Sequence, residues 1–258
     1  MKVVLMRSSV LPVDPYHDAL NSISHVVSIP VLTFSFINAE KLYEKITQPD
    51  KYSGIIMTSK RAGEAIQAVL GEFTVLPDRW RHKPCYVVGE STAEIAKNIG
   101  FETKGKESGN AENLAQIIIS SKADVLVDCP LLFVCGHNRR ETLSKILLDN
   151  GQLFEILEAY NSIADPFIAE NIEKYCTKFL SPDYIVYFSP MGYKFSFNVW
   201  KQILGDLMST VKHFLQTVAI GKTTADSLKH EDIPIIVACK PSAPYVRQAI
   251  EEDVKTTL

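Results

Sequence analysis

No two of the five cysteines form a Cys-x-x-Cys pair: Cys85, Cys129, Cys135, Cys176 and Cys239 are odd in number and far apart. That argues against a disulfide framework and for reduced thiols in a cytosolic setting. The six histidines show no His-x-x-x-His or His-x-His spacing, so no structural metal is expected. There is no phosphate loop, because the Gly221-Lys-Thr-Thr run has no upstream glycine in Thr217-Val-Ala-Ile. Gly-x-Gly-x-x-Gly after a strand and a Gly-x-Ser-x-Gly elbow are also missing. An enzyme built this way works without a cofactor. No apolar run approaches the roughly 18–20 residues of a membrane span. The opening run Met1–Arg7 reads as a buried strand, not a signal peptide. Nor is there an excess of one charge: Lys and Arg total 27, Asp and Glu 30, for a net charge of −3. That balance argues against a general grip on nucleic acid or on an anionic membrane.

What is present is an ordinary globular composition, 46% hydrophobic and 22% charged over 258 residues. At about 150 residues per domain, one large domain or two smaller ones fit. Short continuous apolar runs recur, as at Val3–Met6, Val26–Ile29, Gly54–Thr58, Cys85–Val88, Leu131–Cys135, Leu153–Ala159, Ile185–Ser189, Thr217–Ile220 and Ile235–Val237. Continuous rather than alternating runs predict parallel strands buried on both faces. Helical stripes lie between them at Ala62–Leu70, Thr92–Ile99, Ala111–Ser120, Glu141–Asn150, Thr224–His230 and Ala243–Val254. The rhythm predicts an α/β chain with right-handed crossovers.

The chain repeats itself. Thr58, at the end of one apolar run, and Ser189, at the end of another, are 131 residues apart. Gly89 and Gly221, in Val-Val-Gly-Glu-Ser-Thr-Ala and Ala-Ile-Gly-Lys-Thr-Thr-Ala, are 132 apart, as are Ala111 and Ala243. Three motifs in one order at one offset predict two similar domains with parallel sheets flanked by helices. The strands at residues 3 and 26 precede the first repeat, so one domain is expected to be discontinuous: residues 1–33 with 163–258, and an inserted domain at 37–158. Segments 34–36 and 159–162 would form a paired two-strand hinge, with a ligand cleft between the domains.

Each repeat sets Ser, Thr or Gly where a strand ends and a helix begins, the edge at which open α/β sheets bind ligands. The candidates are Thr58, Ser59, Gly89, Ser91, Gly109, Asn110, Ser189, Pro190, Gly192, Gly221, Thr223, Thr224 and Ser242. Free N–H groups at helix starts bind anions, and hydroxyls add donors. A serine or threonine there also caps a helix with no ligand present; an arrangement repeated around one cleft favours a ligand with several anionic groups. Arg7, Lys60, Arg61, Arg139, Arg140, Lys222 and Lys240 lie near these junctions, and Arg7 and Arg61 are expected to face the ligand. Tyr160, at a strand end, could offer its hydroxyl as a donor or weak acid.

Val3-Val-Leu-Met-Arg7, Tyr52-Ser-Gly-Ile-Ile-Met-Thr-Ser59, Val87-Val-Gly89, Gly109-Asn-Ala-Glu112, Cys135-Gly136, Ala159-Tyr160, Phe188-Ser-Pro190 and Ala219-Ile-Gly221 with Thr223-Thr-Ala225 together resemble the uroporphyrinogen-III synthase family in its eukaryotic cytosolic form. The resemblance implies a small-molecule substrate rich in carboxylates, the linear tetrapyrrole hydroxymethylbilane. It loses water and closes to uroporphyrinogen III while ring D is inverted, through a spiro intermediate, on the way to haem. Unassisted closure gives the uninverted type I isomer, so the enzyme's task is to hold one folded conformation. The resemblance makes Tyr160 the candidate acid and the hydroxyl and glycine sites carboxylate binders. It also implies a cytoplasmic setting, with hand-over of the bilane from hydroxymethylbilane synthase; no oligomer surface is recognisable in the sequence, so a monomer is expected. The chain departs from the family pattern at Ser162, where threonine is usual, at Gln216, where a lysine is common, and at Glu90, which is expected to face solvent.

Two other readings stay open on the residues alone. A non-catalytic two-domain binder of a polyanionic metabolite would not need the Tyr160 hydroxyl. A nucleotide-using transferase or ligase would show a rise in Tm with nucleotide.

Overall fold

The computed structural model describes residues 1–10, 12–71, 75–121, 129–205, 215–229 and 234–257; His230, at the end of one expected helix, lies outside them. In chain order the elements are β1 (Lys2–Met6), α1 (Pro15–Leu20), β2 (His25–Ser28), β3 (Leu32–Phe36), α2 (Ala39–Ile46), β4 (Gly54–Met57), α3 (Lys60–Leu70), β5 (Pro84–Val87), α4 (Glu90–Ile99), β6 (Glu102–Lys104), α5 (Ala111–Ser120), β7 (Leu131–Gly136), α6 (Thr142–Asp149), β8 (Phe154–Ala164), α7 (Ile168–Phe179), β9 (Tyr184–Tyr187), α8 (Pro190–Leu204), β10 (Gln216–Ala219), α9 (Lys222–Leu228), β11 (Ile235–Val237) and α10 (Ala243–Thr257). They fall into two compact units, Met1–Thr33 with Ile163–Leu258 (unit 1) and Phe34–Ser162 (unit 2). Segments 34–36 and 159–162 therefore lie inside unit 2, as parts of β3 and β8.

The sheet of unit 1 has the order β11-β10-β9-β1-β2, with every neighbouring pair parallel. From the β2 edge and in chain order this is 2-1-3-4-5, one of the two common doubly wound arrangements. The second sheet has the order β3-β8-β7-β4-β5-β6, parallel from β8 to β6. Its strands β8-β7-β4-β5-β6 repeat the spatial order β2-β1-β9-β10-β11. The difference is in connectivity: the outer pair precedes the repeat in unit 1 and follows it in unit 2.

The pairing that is not parallel involves the expected linker segments, at one edge of the second sheet. Ile37 N–H donates to the Ala159 carbonyl at 2.9 Å and Asp165 N–H to that of Val31 at 3.2 Å. Residue numbers rise on one strand as they fall on the other, so β3 runs antiparallel to β8.

Central strands such as Gly54–Met57 and Leu131–Gly136 are buried at every position, as the continuous apolar runs require. In unit 2, Leu42 and Ile46 of α2, Ala62, Ala65 and Ile66 of α3, and Ala93 and Ala96 of α4 cover one face. Leu114 and Ile118 of α5 and Leu143 and Leu147 of α6 cover the other. In unit 1, Ile172 of α7, Phe197 and Trp200 of α8, and Leu228 of α9 form one layer; Tyr16 and Leu20 of α1 and Val246 and Ile250 of α10 form the second. Among the described residues, no helix is long and apolar enough to cross a membrane.

Trp80, in a short 3-10 turn at Asp78–His82, is fully buried. It stacks on Tyr52 and meets Phe101 edge-on. Its indole N–H donates at 2.7 Å to the carbonyl of Ile46, a helix-end acceptor that would otherwise be orphaned. Trp80→Ala is expected to destabilise unit 2 by about 3–5 kcal/mol in chemical unfolding.

Candidate active site

In unit 2 the neighbouring strands β4 and β7 lie in mid-sheet. The chain leaving β4 enters α3 in one helical layer, and the chain leaving β7 enters α6 in the opposite one. Neither connection covers the carboxyl ends of the two strands, so a crevice opens there. A cavity of about 430 Å³ fills it, lined by Phe34, Ser59, Lys60, Arg61, Gly136, His137, Asn138, Arg139, Tyr160 and Ser162. A second, of about 240 Å³, shares Ser59, Gly136, Arg139 and Tyr160 and reaches Thr58 and Arg140. Four cations line these spaces and no carboxylate does. A larger and more open hollow of about 740 Å³ lies at edge strand β6, beside Lys97 and Gly105, and none of the expected site residues is in its wall.

Local sequence explains each wall. Ser59 caps α3 by accepting the Arg61 N–H at 3.2 Å, which places Thr58, Ser59 and Arg61 together at the end of β4. The Arg61 guanidinium lies 4.1 Å from the centre of the Phe34 ring and 2.5 Å from Glu64. Stacking of this kind is worth about 0.5–1 kcal/mol at an exposed site and more where water is excluded. It also holds the cation at the crevice rim.

Tyr160 reaches the crevice through a break in register. Cys135 pairs with Glu158, but Gly136 pairs with Tyr160, so β8 carries one extra residue, Ala159. A bulge re-aims the side chain beyond it. Here it turns the Tyr160 ring over Gly136, with Phe34 edge-on at 6.3 Å. Just behind, Glu158 lies 2.8 Å from His137 Nδ1 and 3.0 Å from an Arg139 guanidinium nitrogen. The His137 hydrogen bond and the nearby Arg139 charge outweigh partial burial and hold the Glu158 carboxyl below the usual carboxylate range. Arg139 also meets Glu141 at 3.2 Å, and its Nε–H is buried with no hydrogen-bond partner. The Cys135 thiol, at the end of β7, is pushed up to about 12 by burial, so it is no nucleophile at neutral pH.

The other candidates are spread more widely. Gly89 starts α4, with Ser91 exposed beside it. Glu90 faces solvent and pairs with Lys106 at 3.1 Å. Gly109 and Asn110 are exposed, and the Asn110 side chain caps α5 by accepting the Asn113 N–H at 2.8 Å.

In unit 1, Ser189 caps α8 by accepting the Gly192 N–H at 3.0 Å, with Pro190 as the first helical residue. Gly192 is buried against Val31. Gly221 and Thr223 lie at the start of α9, with Thr223 exposed. Thr224 is only 4% exposed and turns into the core of its unit. Successive helical positions are about 100° apart, so a helix can turn Thr223 outward and Thr224 inward. Ser242 is half-buried before α10. Arg7 lies 5.0 Å from the centres of both the Tyr16 and Phe188 rings, which meet each other edge-on at 4.8 Å, and 3.5 Å from Asp14. Burial raises the pKa of Asp14, but the Val10 and Tyr16 N–H groups and the Arg7 charge overcome it and leave the carboxyl below its usual range. Arg7 thus has a structural partner of its own.

Residues 23–245 match the family model described as Uroporphyrinogen-III synthase HemD. The chain belongs to the uroporphyrinogen-III synthase family. It is 29% identical over 233 residues to the uroporphyrinogen-III synthase of Schizosaccharomyces pombe, spanning 88% of this chain and 86% of that one. Against the synthase of Saccharomyces cerevisiae it is 26% identical over 267 aligned positions, spanning 97% and 96%. Among solved structures, the synthetase of Helicobacter pylori aligns over 99% of both chains with a TM-score of 0.61 at 17% identity. A mutant synthase of Thermus thermophilus aligns over 99% and 100% with a TM-score of 0.51 at 13% identity. At such identities the structural likeness speaks for the synthase fold alone.

His137, Asn138 and Phe34 line the crevice and Glu158 stands behind it; motif reading did not select them. Their one signal was position: His137 and Asn138 follow the Cys135-Gly136 strand end, and Glu158 precedes Tyr160 by two residues. A lowered folded-state pKa stabilises above the unfolded value of about 4.3 and is lost as pH falls through the folded value. Glu158→Gln should therefore lower Tm relative to the parent at pH 7, and the difference should begin to shrink as the pH falls past about 4.3 and close once it is below the folded-state value. Parallel thermal melts across pH check this.

Proposed function

We propose that the chain carries out the family's reaction, uroporphyrinogen-III synthesis, and does so chiefly by holding hydroxymethylbilane in one reactive conformation. Water leaves, a carbon–carbon bond closes the ring, and no electrons are exchanged with an outside acceptor. The reaction class is that of a cyclising hydro-lyase. Family membership gives the reaction. For the site, the carrying observation is the crevice between β4 and β7, walled by four cations and a tyrosine with no lining carboxylate.

A substrate bearing acetate and propionate groups suits that wall. Each charge-assisted hydrogen bond is worth about 1.5–3 kcal/mol. Arg61, held over Phe34, and Arg139, which lines both cavities, are the cations best placed to take a carboxylate. Thr58 and Ser59 add hydroxyls at the same rim. Tyr160 lines both cavities and brings a phenol to the crevice. Its phenol can donate to the departing hydroxyl, and general acid help of that kind contributes about 10²–10⁴-fold. In unit 1, Ser189, Gly221 and Thr223 offer the same type of anion-binding helix start.

The two roles separate kinetically. Tyr160→Phe should lower kcat by about 10²-fold or more while leaving KM within a few-fold. Arg61→Ala should raise KM about tenfold or more with a smaller change in kcat. Steady-state assays on freshly made hydroxymethylbilane check both. A Tyr160→Phe protein as fast as the parent would remove the acid role.

A further inference from the structure

The bulge that brings Tyr160 into the crevice lies against a glycine. Gly136 is the last residue of β7 and pairs with Tyr160 just after the register shift. The ring lies directly over its α-carbon. A Cβ at Gly136 would meet Tyr160 Cε2 at 2.7 Å, Cζ at 2.9 Å and the hydroxyl oxygen at 3.2 Å. The first two distances are shorter than real Cβ contacts allow, and all three atoms belong to one rigid ring. Gly136 is not among the glycines with positive φ, so its backbone places no demand for glycine. The demand comes from the Tyr160 ring.

The backbone around the contact is pinned on both sides. Tyr160 O accepts the His137 N–H at 2.9 Å, and Ala159 O, the bulged carbonyl, accepts the Ile37 N–H at 2.9 Å. Glu158 ties the same strand to His137 and Arg139. With the main chain fixed, the ring can only rest on Gly136 or leave the crevice floor.

We infer that Gly136 is a positioning residue for the reaction: the missing side chain is the seat on which the Tyr160 ring rests, and it sets where the phenol hydroxyl points. The inference rests on the acid role of Tyr160. Adding one methyl group at Gly136 lifts the ring and misplaces the hydroxyl without touching the charges that bind substrate. Misplacement by about 1 Å costs up to about 10²-fold.

The test uses full-length protein labelled with 3-fluorotyrosine, the Tyr160 resonance being assigned by its loss in Tyr160→Phe. Gly136→Ala should move or broaden that resonance and leave the other tyrosine signals in place. It should lower kcat by about 10–10²-fold with KM within about twofold, and raise the share of type I isomer in the product. Added to Tyr160→Phe, it should cost less than about twofold more, because the hydroxyl it misplaces is already gone. If Gly136→Ala folds poorly, Gly136→Ala/Tyr160→Ala should regain the Tm of Tyr160→Ala, since removal of the ring removes the clash. The inference is overturned if the Tyr160 resonance stays put, if the two kinetic losses multiply, or if the double variant remains unstable. A fully active Tyr160→Phe also overturns it, but through the acid role, and is told apart because Tyr160→Phe is slow in every other outcome.

Discussion

The site depends on a constraint of chain connection. In unit 2 the two mid-sheet strands β4 and β7 send their following chains to opposite faces of the sheet. A parallel strand must be followed by a crossover, and crossovers that diverge leave the space between them unfilled. The cations at the starts of the following segments, Arg61 after β4 and Arg139 after β7, then stand on either side of one gap. No apolar side chain closes it, and no carboxylate neutralises it from within.

The price of aiming a tyrosine into that gap is local irregularity. Regular pairing would carry β8 past Gly136 with Ala159 opposite it; the inserted residue brings Tyr160 there instead. The irregularity is stabilised by its surroundings. β3 adds an antiparallel edge that takes up the Ala159 carbonyl, and Glu158 clamps the loop after β7 through His137 and Arg139. Glu158 does double service, because it fixes the loop and partly neutralises Arg139 from behind. A reaction that needs one substrate conformation more than a strong catalytic group is served by such a rigid floor.

Much of the fold was legible because burial on both faces of a parallel strand writes a continuous apolar run. The runs at Val3–Met6, Gly54–Thr58 and Leu131–Cys135 all became central strands. The repeat showed two similar domains, but its offset aligned only the shared strand–helix units. The outer pairs β1–β2 and β7–β8 occupy matching places from opposite ends of the repeat, and sequence order hides that. Edge strand β6 was missed because an edge need not be buried and carries a weak apolar signal, and β3 was expected only as one half of the paired linker. Helices α7 and α8 were missed as well; α8 opens with Pro190 and Gly192, which read locally as a turn until the Ser189 cap is seen. Of the site, Thr58, Ser59, Arg61 and Tyr160 come together around one crevice. The bulge, the Glu158 clamp and the inward turn of Thr224 depend on register and helix phase, which no short motif encodes.

The central claim is that this crevice directs one mode of ring closure. The direct measurement supplies the unaltered protein with freshly generated hydroxymethylbilane, oxidises the products and separates type I from type III isomers by chromatography. The account predicts mostly type III, formed faster than the spontaneous background. Type I alone from a folded sample would contradict it.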